Sequence, residues 1–317
     1  MLKKIWIVLL FAMCMSFCAV THLIAEKYDV SAGVWGLFVN KADNLWGKGN
    51  RTITSIYSKP DSSTVYLAFP YIDFKVTPEE GVAGGKGTTA FYVNTALEPG
   101  SLSAGVKQRF EKSFVDIYGF YSLVAKNWQN PYVLYRTATG TRLFGGKITY
   151  GNAFNTNFSL SYRASLTDVN NDVIGSINSD LRQDGMTHTF SVNYRQPLTE
   201  MLSLIPAFTY ERGEFDGKSN SYNQYEGSLA LNMHMQKAVF TARIYGNAAE
   251  FDSMHPIYFK TRDGRTYGAS ILVAFPNPFG WKKYTVSAGM NASNTDSNIA
   301  FFESNTTMGF VSLGYQF

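Results

Sequence analysis

The sequence predicts an all-β fold, a transmembrane antiparallel up-and-down β-barrel of about fourteen strands, and three observations carry the prediction. The 317-residue chain is 45% hydrophobic but only 16% charged, with 24 Phe, 20 Tyr and 27 Gly, which is the opposite of a charge-rich, aromatic-poor disordered chain. Past residue 25 no apolar run approaches the roughly 20 residues that a membrane-crossing helix needs. Apolar and polar residues alternate with period two in segment after segment, as in strands with one apolar and one polar face.

The first element is a leader. Met1 to Ala25 places Lys3 and Lys4 before an apolar stretch from Ile5 to Phe17, then small and mixed residues ending at Leu23-Ile24-Ala25. That is the order of a secretory signal peptide, with an apolar part too short for a permanent span. Cleavage is expected after Ala25, with Cys18 or Ala19 as alternative cut points, leaving residues 26–317 as one barrel domain. Phe17 precedes Cys18 and Met13 precedes Cys14, so the small residue that a lipidation site needs is missing. These are the only cysteines, so an exported mature chain holds no disulfide and relies on its ladder and packing. It carries two more basic than acidic residues and no patch suited to nucleic acid.

Strands are expected near 28–40, 63–76, 88–97, 101–111, 113–126, 141–152, 157–168, 186–197, 201–213, 222–234, 238–249, 265–276, 283–294 and 306–317. The clearest puts Phe158, Leu160, Tyr162, Ala164 and Leu166 on one face and Ser159, Ser161, Arg163 and Ser165 on the other. The segments after Thr189, Ser203, Gln224 and Lys283 repeat it. Short connections such as Glu111-Lys112 and Gln236-Lys237 alternate with long ones such as Lys41 to Ser62 and Asn170 to Gly185, the asymmetry of tight periplasmic turns and long outer loops. The long Pro78–Gly87 turn and the short Glu98–Gly100 loop leave twelve strands as the alternative count.

The last segment turns Val311, Leu313, Tyr315 and Phe317 one way. It resembles the terminal strand of Gram-negative outer-membrane barrels, and the resemblance implies that these residues are a signal to the barrel-assembly machinery. Phe110, Tyr150, Phe158, Tyr194, Phe275, Tyr284 and Phe317 fall where a near-periplasmic aromatic girdle belongs.

Further stretches stand out as a set: Ala68-Phe69-Pro70, Asn130-Pro131-Tyr132, Asp216 to Tyr222, Pro256 to Arg262, Gly280-Trp281-Lys282 and Ser297 to Phe302. In order and spacing they look like an uncharacterised proteobacterial outer-membrane family known only as a domain of unknown function, with His255 where Asn is expected. The resemblance covers most of the mature chain and implies the fold, without activity or catalytic residues.

If apolar faces meet lipid, the lumen receives Lys107, Arg109, Lys147, Arg163, Arg195, Arg243 and Lys283 with Asp116, Glu211 and Glu226. Fourteen strands exceed the eight whose interior side chains simply fill, so a porin-like channel for passive diffusion of small solutes in the outer membrane is expected. Lys147, Arg163 and Arg195 lean it toward anions, unless such cations pair with lumenal acids. The alternative is a closed barrel that binds a ligand or acts as a surface receptor. The loop Lys41 to Ser62, with Trp46, Gly47, Lys48 and Arg51, folds inward as a constriction, presents a binding surface or, as polar glycine-bearing loops more often do, stays solvated.

An outer-membrane enzyme is the weakest reading. His188, His234 and His255 lie in no Gly-x-Ser-x-Gly or His-x-Ser context, so no catalytic residue, metal site or cofactor is expected. The partners expected are outer-membrane lipid, lipopolysaccharide, the assembly machinery and small solutes, with no nucleic acid and no oligomeric state implied.

Overall fold

The computed structural model describes residues 25–78, 87–95, 100–122 and 125–317, so most of the leader and parts of the connections after residues 78, 95 and 122 lie outside it. Its strands, numbered along the chain, are β1 Ala25–Ala42, β2 Ser62–Pro78, β3 Thr88–Asn94, β4 Ser101–Arg109, β5 Phe114–Ser122, β6 Lys126–Trp128, β7 Ala138–Gly151 and β8 Phe158–Val169. There follow β9 Gly185–Tyr194, β10 Gln196–Pro197, β11 Leu202–Phe215, β12 Tyr222–Met235, β13 Ala238–His255, β14 Lys260–Pro276, β15 Tyr284–Ser297 and β16 Ser304–Gln316.

Fourteen of these form one closed antiparallel ring, in which each wall strand pairs with the next along the chain, β9 pairs with β11, and β16 returns to β1. The short β6 and β10 hang on β7 and β11. Closure leaves no free sheet edge, so every wall strand has a partner on both sides.

Register fixes the two faces. Ile148 lies opposite Tyr162, and Tyr162 opposite Phe190, all on the outward side; their inward neighbours include the pairs Lys147 with Arg163 and Ser161 with Ser191. Outward apolar side chains such as Val34, Ile72, Ile244, Ile271 and Val311 are at least half exposed, as a wall facing hydrocarbon requires. Aromatics line the rim near the short turns: Phe158 packs tilted against Tyr194 at 4.7 Å, and Tyr315 meets Tyr284 at 4.9 Å and Phe317 at 5.0 Å edge-on.

Two expectations need correction. β13 and β14 run to His255 and back from Lys260, past the ends predicted at residues 249 and 265. Their tips carry Glu250, Asp252 and Asp263, so they rise beyond the apolar belt, where alternation no longer marks a strand. Lys283 lies in the turn before β15 at φ 69°, with its ammonium 6.0 Å from the Tyr315 ring on the outward side, away from the lumen.

The inward face is also uneven. β1, β2 and β16 turn Trp35, Leu37, Val39, Leu67, Phe69 and Phe310 inward in facing register. Trp35 meets Phe310 at 4.7 Å and Tyr71 at 6.0 Å. β2 is thereby apolar on both faces over its middle, and one sector of the lumen wall is greasy where β7 to β9 is polar.

Candidate functional site

The long connections gather over the outer mouth and build a core of their own. Ile53 from the β1–β2 loop, Ile299 before the last outer turn, and Phe301 and Phe302 on that turn are nearly inaccessible, with Ile56, Tyr132 and Tyr258 packed against them. Local chemistry sets each piece. The Asn130 side chain accepts the Tyr132 amide at 2.9 Å, an Asx turn that directs the tyrosine into the cluster. Asn298 donates to the Thr261 carbonyl at 2.7 Å and accepts the Asp263 amide at 3.1 Å, fixing the turn that presents Phe301 and Phe302 against the β13–β14 hairpin.

His255 closes the cluster, 1% exposed. Its Nε2 lies 3.0 Å from the Tyr132 hydroxyl and its Nδ1 accepts the Ile257 amide at 3.3 Å. Burial, then the neighbouring Arg262 charge, push this imidazole down to about 4. Burial also raises Tyr132 and Tyr258 above the ordinary phenol range, so both remain donors, and the Tyr258 hydroxyl reaches the Ile56 carbonyl at 2.8 Å.

A second knot joins the other loops. Arg136, 4.6 Å from the Trp128 ring, donates to the carbonyls of Asn44 and Asn50, and Thr52 bridges to Tyr135. Asp172 accepts the amides of Gly175 at 3.0 Å and Gln183 at 2.8 Å, while Gln183 Nε2 donates to the Trp128 carbonyl at 3.0 Å. Asn220 donates to the Arg182 carbonyl at 3.0 Å, and Ser219 to that of Asp180. The β1–β2 loop is therefore a packed part of a cap and not a solvated strand of chain.

Below the cap lies a cavity of about 500 Å³, walled by the cap and the inward faces of β8 and β11 to β16. Arg262 projects into it, with Phe251 at 4.2 Å and Phe302 at 4.0 Å from its guanidinium carbon.

Several of the cations named from the sequence are paired. Lys107 lies 3.7 Å from Asp116, whose other oxygen accepts the Tyr92 hydroxyl at 2.6 Å. Arg243 is ion-paired and hydrogen-bonded to Glu226. Glu211 accepts hydroxyls from Tyr222 at 2.6 Å and Thr189 at 3.0 Å. Lys147 sits beside Arg163, whose guanidinium covers the Phe120 ring at 4.6 Å, and among the described residues no carboxylate reaches Lys147. Arg109 ends β4 and Arg195 follows β9, both exposed at the rim of the short turns, so Arg195 lies apart from the Lys147–Arg163 pair. Val311, Leu313, Tyr315 and Phe317 lie on the outward side of the closing strand and its end.

Sequence reasoning missed the cap and Arg262, although Asn130–Tyr132, Asp216–Tyr222, Pro256–Arg262 and Ser297–Phe302 were visible as motifs. These four supply part of the cap, with Tyr132, Ser219, Asn220, Tyr258, Phe301 and Phe302 among them.

Among solved structures the chain is similar to the outer-membrane channel DcaP of Acinetobacter baumannii, at 10% identity and TM-score 0.41 over 92% of this chain and 98% of that one. It is also similar to OmpT of Vibrio cholerae, at 8%, 0.42, 92% and 99%, and to an anion-selective porin from Comamonas acidovorans, at 10%, 0.41, 92% and 100%. Likenesses this distant transfer no property. No curated protein matches. A family model does, over residues 28–316: the chain belongs to the family described as protein of unknown function DUF2860.

Proposed function

We propose that this barrel is exported by its leader and inserted in the outer membrane, where it serves as a porin-like channel for passive diffusion of small solutes, leaning toward anions. The observation that carries the reading is the closed ring of fourteen strands with an apolar outward belt and an inward Lys147–Arg163 pair that no acid among the described residues balances at Lys147. A ring this wide leaves a lumen beyond what its wall side chains fill. The reading assigns no catalysis; it takes Val311, Leu313, Tyr315 and Phe317 as the assembly signal and lipid and lipopolysaccharide as the surroundings.

Recording from refolded protein in planar bilayers tests it. Steps of conductance with a reversal potential of anionic sign in a KCl gradient are expected; cation preference would overturn the anion lean. The cap favours one further reading, a closed barrel that binds a ligand. Deleting residues 46–58 separates the two: larger conductance marks a constriction, whereas silence before and after deletion marks a closed barrel.

A further inference from the structure

Arg262 differs from several other arginines near the outer mouth. Arg212 holds Asp252 through two hydrogen bonds of 2.9 and 2.6 Å, Arg182 lies 3.9 Å from Asp216, and Arg136 gives both terminal nitrogens to backbone carbonyls, its Nε alone lacking a partner. Among the described residues Arg262 packs on the rings of Phe251 and Phe302, with Tyr132, Asp43 and Tyr222 near enough to favour its charge; its Nε is enclosed and makes no hydrogen bond, and no described carboxylate comes within ion-pair distance. A guanidinium held by aromatic rings keeps its terminal in-plane N–H groups available, the geometry that takes a carboxylate or phosphate in bidentate fashion.

The cavity around it is built for an organic ligand. Its volume of about 500 Å³ falls within the range of small-molecule sites. Neutral donors and acceptors, Asn127, Gln183, Gln224 and Asn247, share the wall with Leu181 and Phe215. The acid on the wall, Asp43, is already engaged, 2.7 Å from Lys41 and accepting the Leu45 amide at 2.7 Å. Asp43 is thus bonded elsewhere, although its charge still reaches Arg262, and Arg262 is the cation on the described wall. A bare inorganic ion would leave the rings and most of the space unfilled, whereas a carboxylate on an apolar or hydroxylated body uses all three features.

We propose that the cavity beneath the cap binds small organic carboxylates, with Arg262 taking the carboxylate and the amides of Gln224 and Asn247 contacting the body. This goes beyond the channel reading, since it concerns equilibrium binding and not flow. A barrel that binds carboxylate but passes no current keeps this inference and loses the channel; one that conducts but binds none does the reverse.

The test is calorimetric titration of refolded protein in detergent micelles with benzoate, gluconate and inorganic phosphate, using benzyl alcohol as the uncharged counterpart of benzoate. Binding of at least one carboxylate and not of benzyl alcohol is expected. Arg262→Gln should weaken it about tenfold or more, the scale of a lost charge-assisted hydrogen bond, and Arg262→Lys should recover only part. Heat-modifiable migration reports whether each variant is folded. Asn247→Trp fills the cavity from the wall with Arg262 intact and should abolish binding, which keeps the test decisive if Arg262→Gln does not fold. The proposal is overturned by undiminished affinity in folded Arg262→Gln or in Asn247→Trp, by binding of phosphate alone, or by no carboxylate binding.

Discussion

His255 and Tyr132, separated by 123 residues in sequence, meet in the cap with imidazole Nε2 3.0 Å from the phenol oxygen. Packed around the imidazole are Tyr132, Tyr258 and Phe302, with the Arg262 charge close enough to disfavour its protonation. The histidine stands clear of the bilayer, because Glu250 and Asp252 lie below it on the outward face of the same strand. With the folded value at about 4, against an ordinary 6.5, an opened cap binds a proton more readily than a closed one. Cap stability is thus complete above about pH 6.5 and declines as pH falls toward 4, by up to about 3 kcal/mol. Amide exchange in residues 129–137 and 256–259, corrected for intrinsic rates, should accelerate through that window, and His255→Asn should flatten the dependence.

The aromatic core should behave as a separable unit. Phe301 is fully buried, and its truncation to Ala should cost the cap about 3 kcal/mol while leaving the strand ladder intact. Single-channel recordings should show larger or noisier conductance, with heat-modifiable migration unchanged. A collapse of the barrel itself would mean that the loops hold the wall together.

Lumenal charge should be adjustable from either side of its balance. Glu226→Gln leaves Arg243 without its partner, which should raise anion preference; Lys147→Glu with Arg163→Glu should reverse it. Reversal potentials in a salt gradient read both, and the differences should shrink at high ionic strength as screening grows.

Gly217 is where two loops touch. A Cβ there would lie 2.4 Å from the Arg182 nitrogen and 2.5 Å from its oxygen, too close for backbone to accommodate without movement. Gly217→Ala should therefore unseat the turn at residues 218–220 at a cost of about 1–3 kcal/mol. Limited proteolysis at Lys218 or Arg182 is the readout, with faster nicking expected.

The wall was legible in the sequence where two solvents imposed a rule. β8 alternates because lipid claims Phe158, Leu160 and Tyr162 while water claims Ser159, Ser161 and Arg163, and the strand runs from Phe158 to Val169, one residue later at each end than the expected 157–168. The rule lapses at β2, whose Leu67 and Phe69 pack against Leu37 and Trp35 across the inward face. It lapses again at the tips of β13 and β14, where both faces are wet. The cap was illegible for another reason: its contacts join Ile56 to Tyr258 and Asn44 to Phe301, more than two hundred residues apart, and no local period records such pairing. Arg262 read as one more basic residue in a motif, because its isolation is set by partners it lacks in space.

The pairing of β1 with β16 also bears on how the molecule comes to exist. Gln316 reaches Asp29 at 2.8 Å and the Phe317 amide reaches the Val30 carbonyl at 2.9 Å, the first pair at a sequence separation of 287. The ring's last ladder thus joins its first strand in chain order to its last, and closing so long a loop is slow. Until it forms, β1 and β16 are two unpaired edges with apolar sides, prone to pairing with other chains. Holding those edges apart until the final strand arrives is therefore the kinetic problem of its biogenesis, and a circular permutant that cuts one of the short turns would move the seam to a different pair of strands.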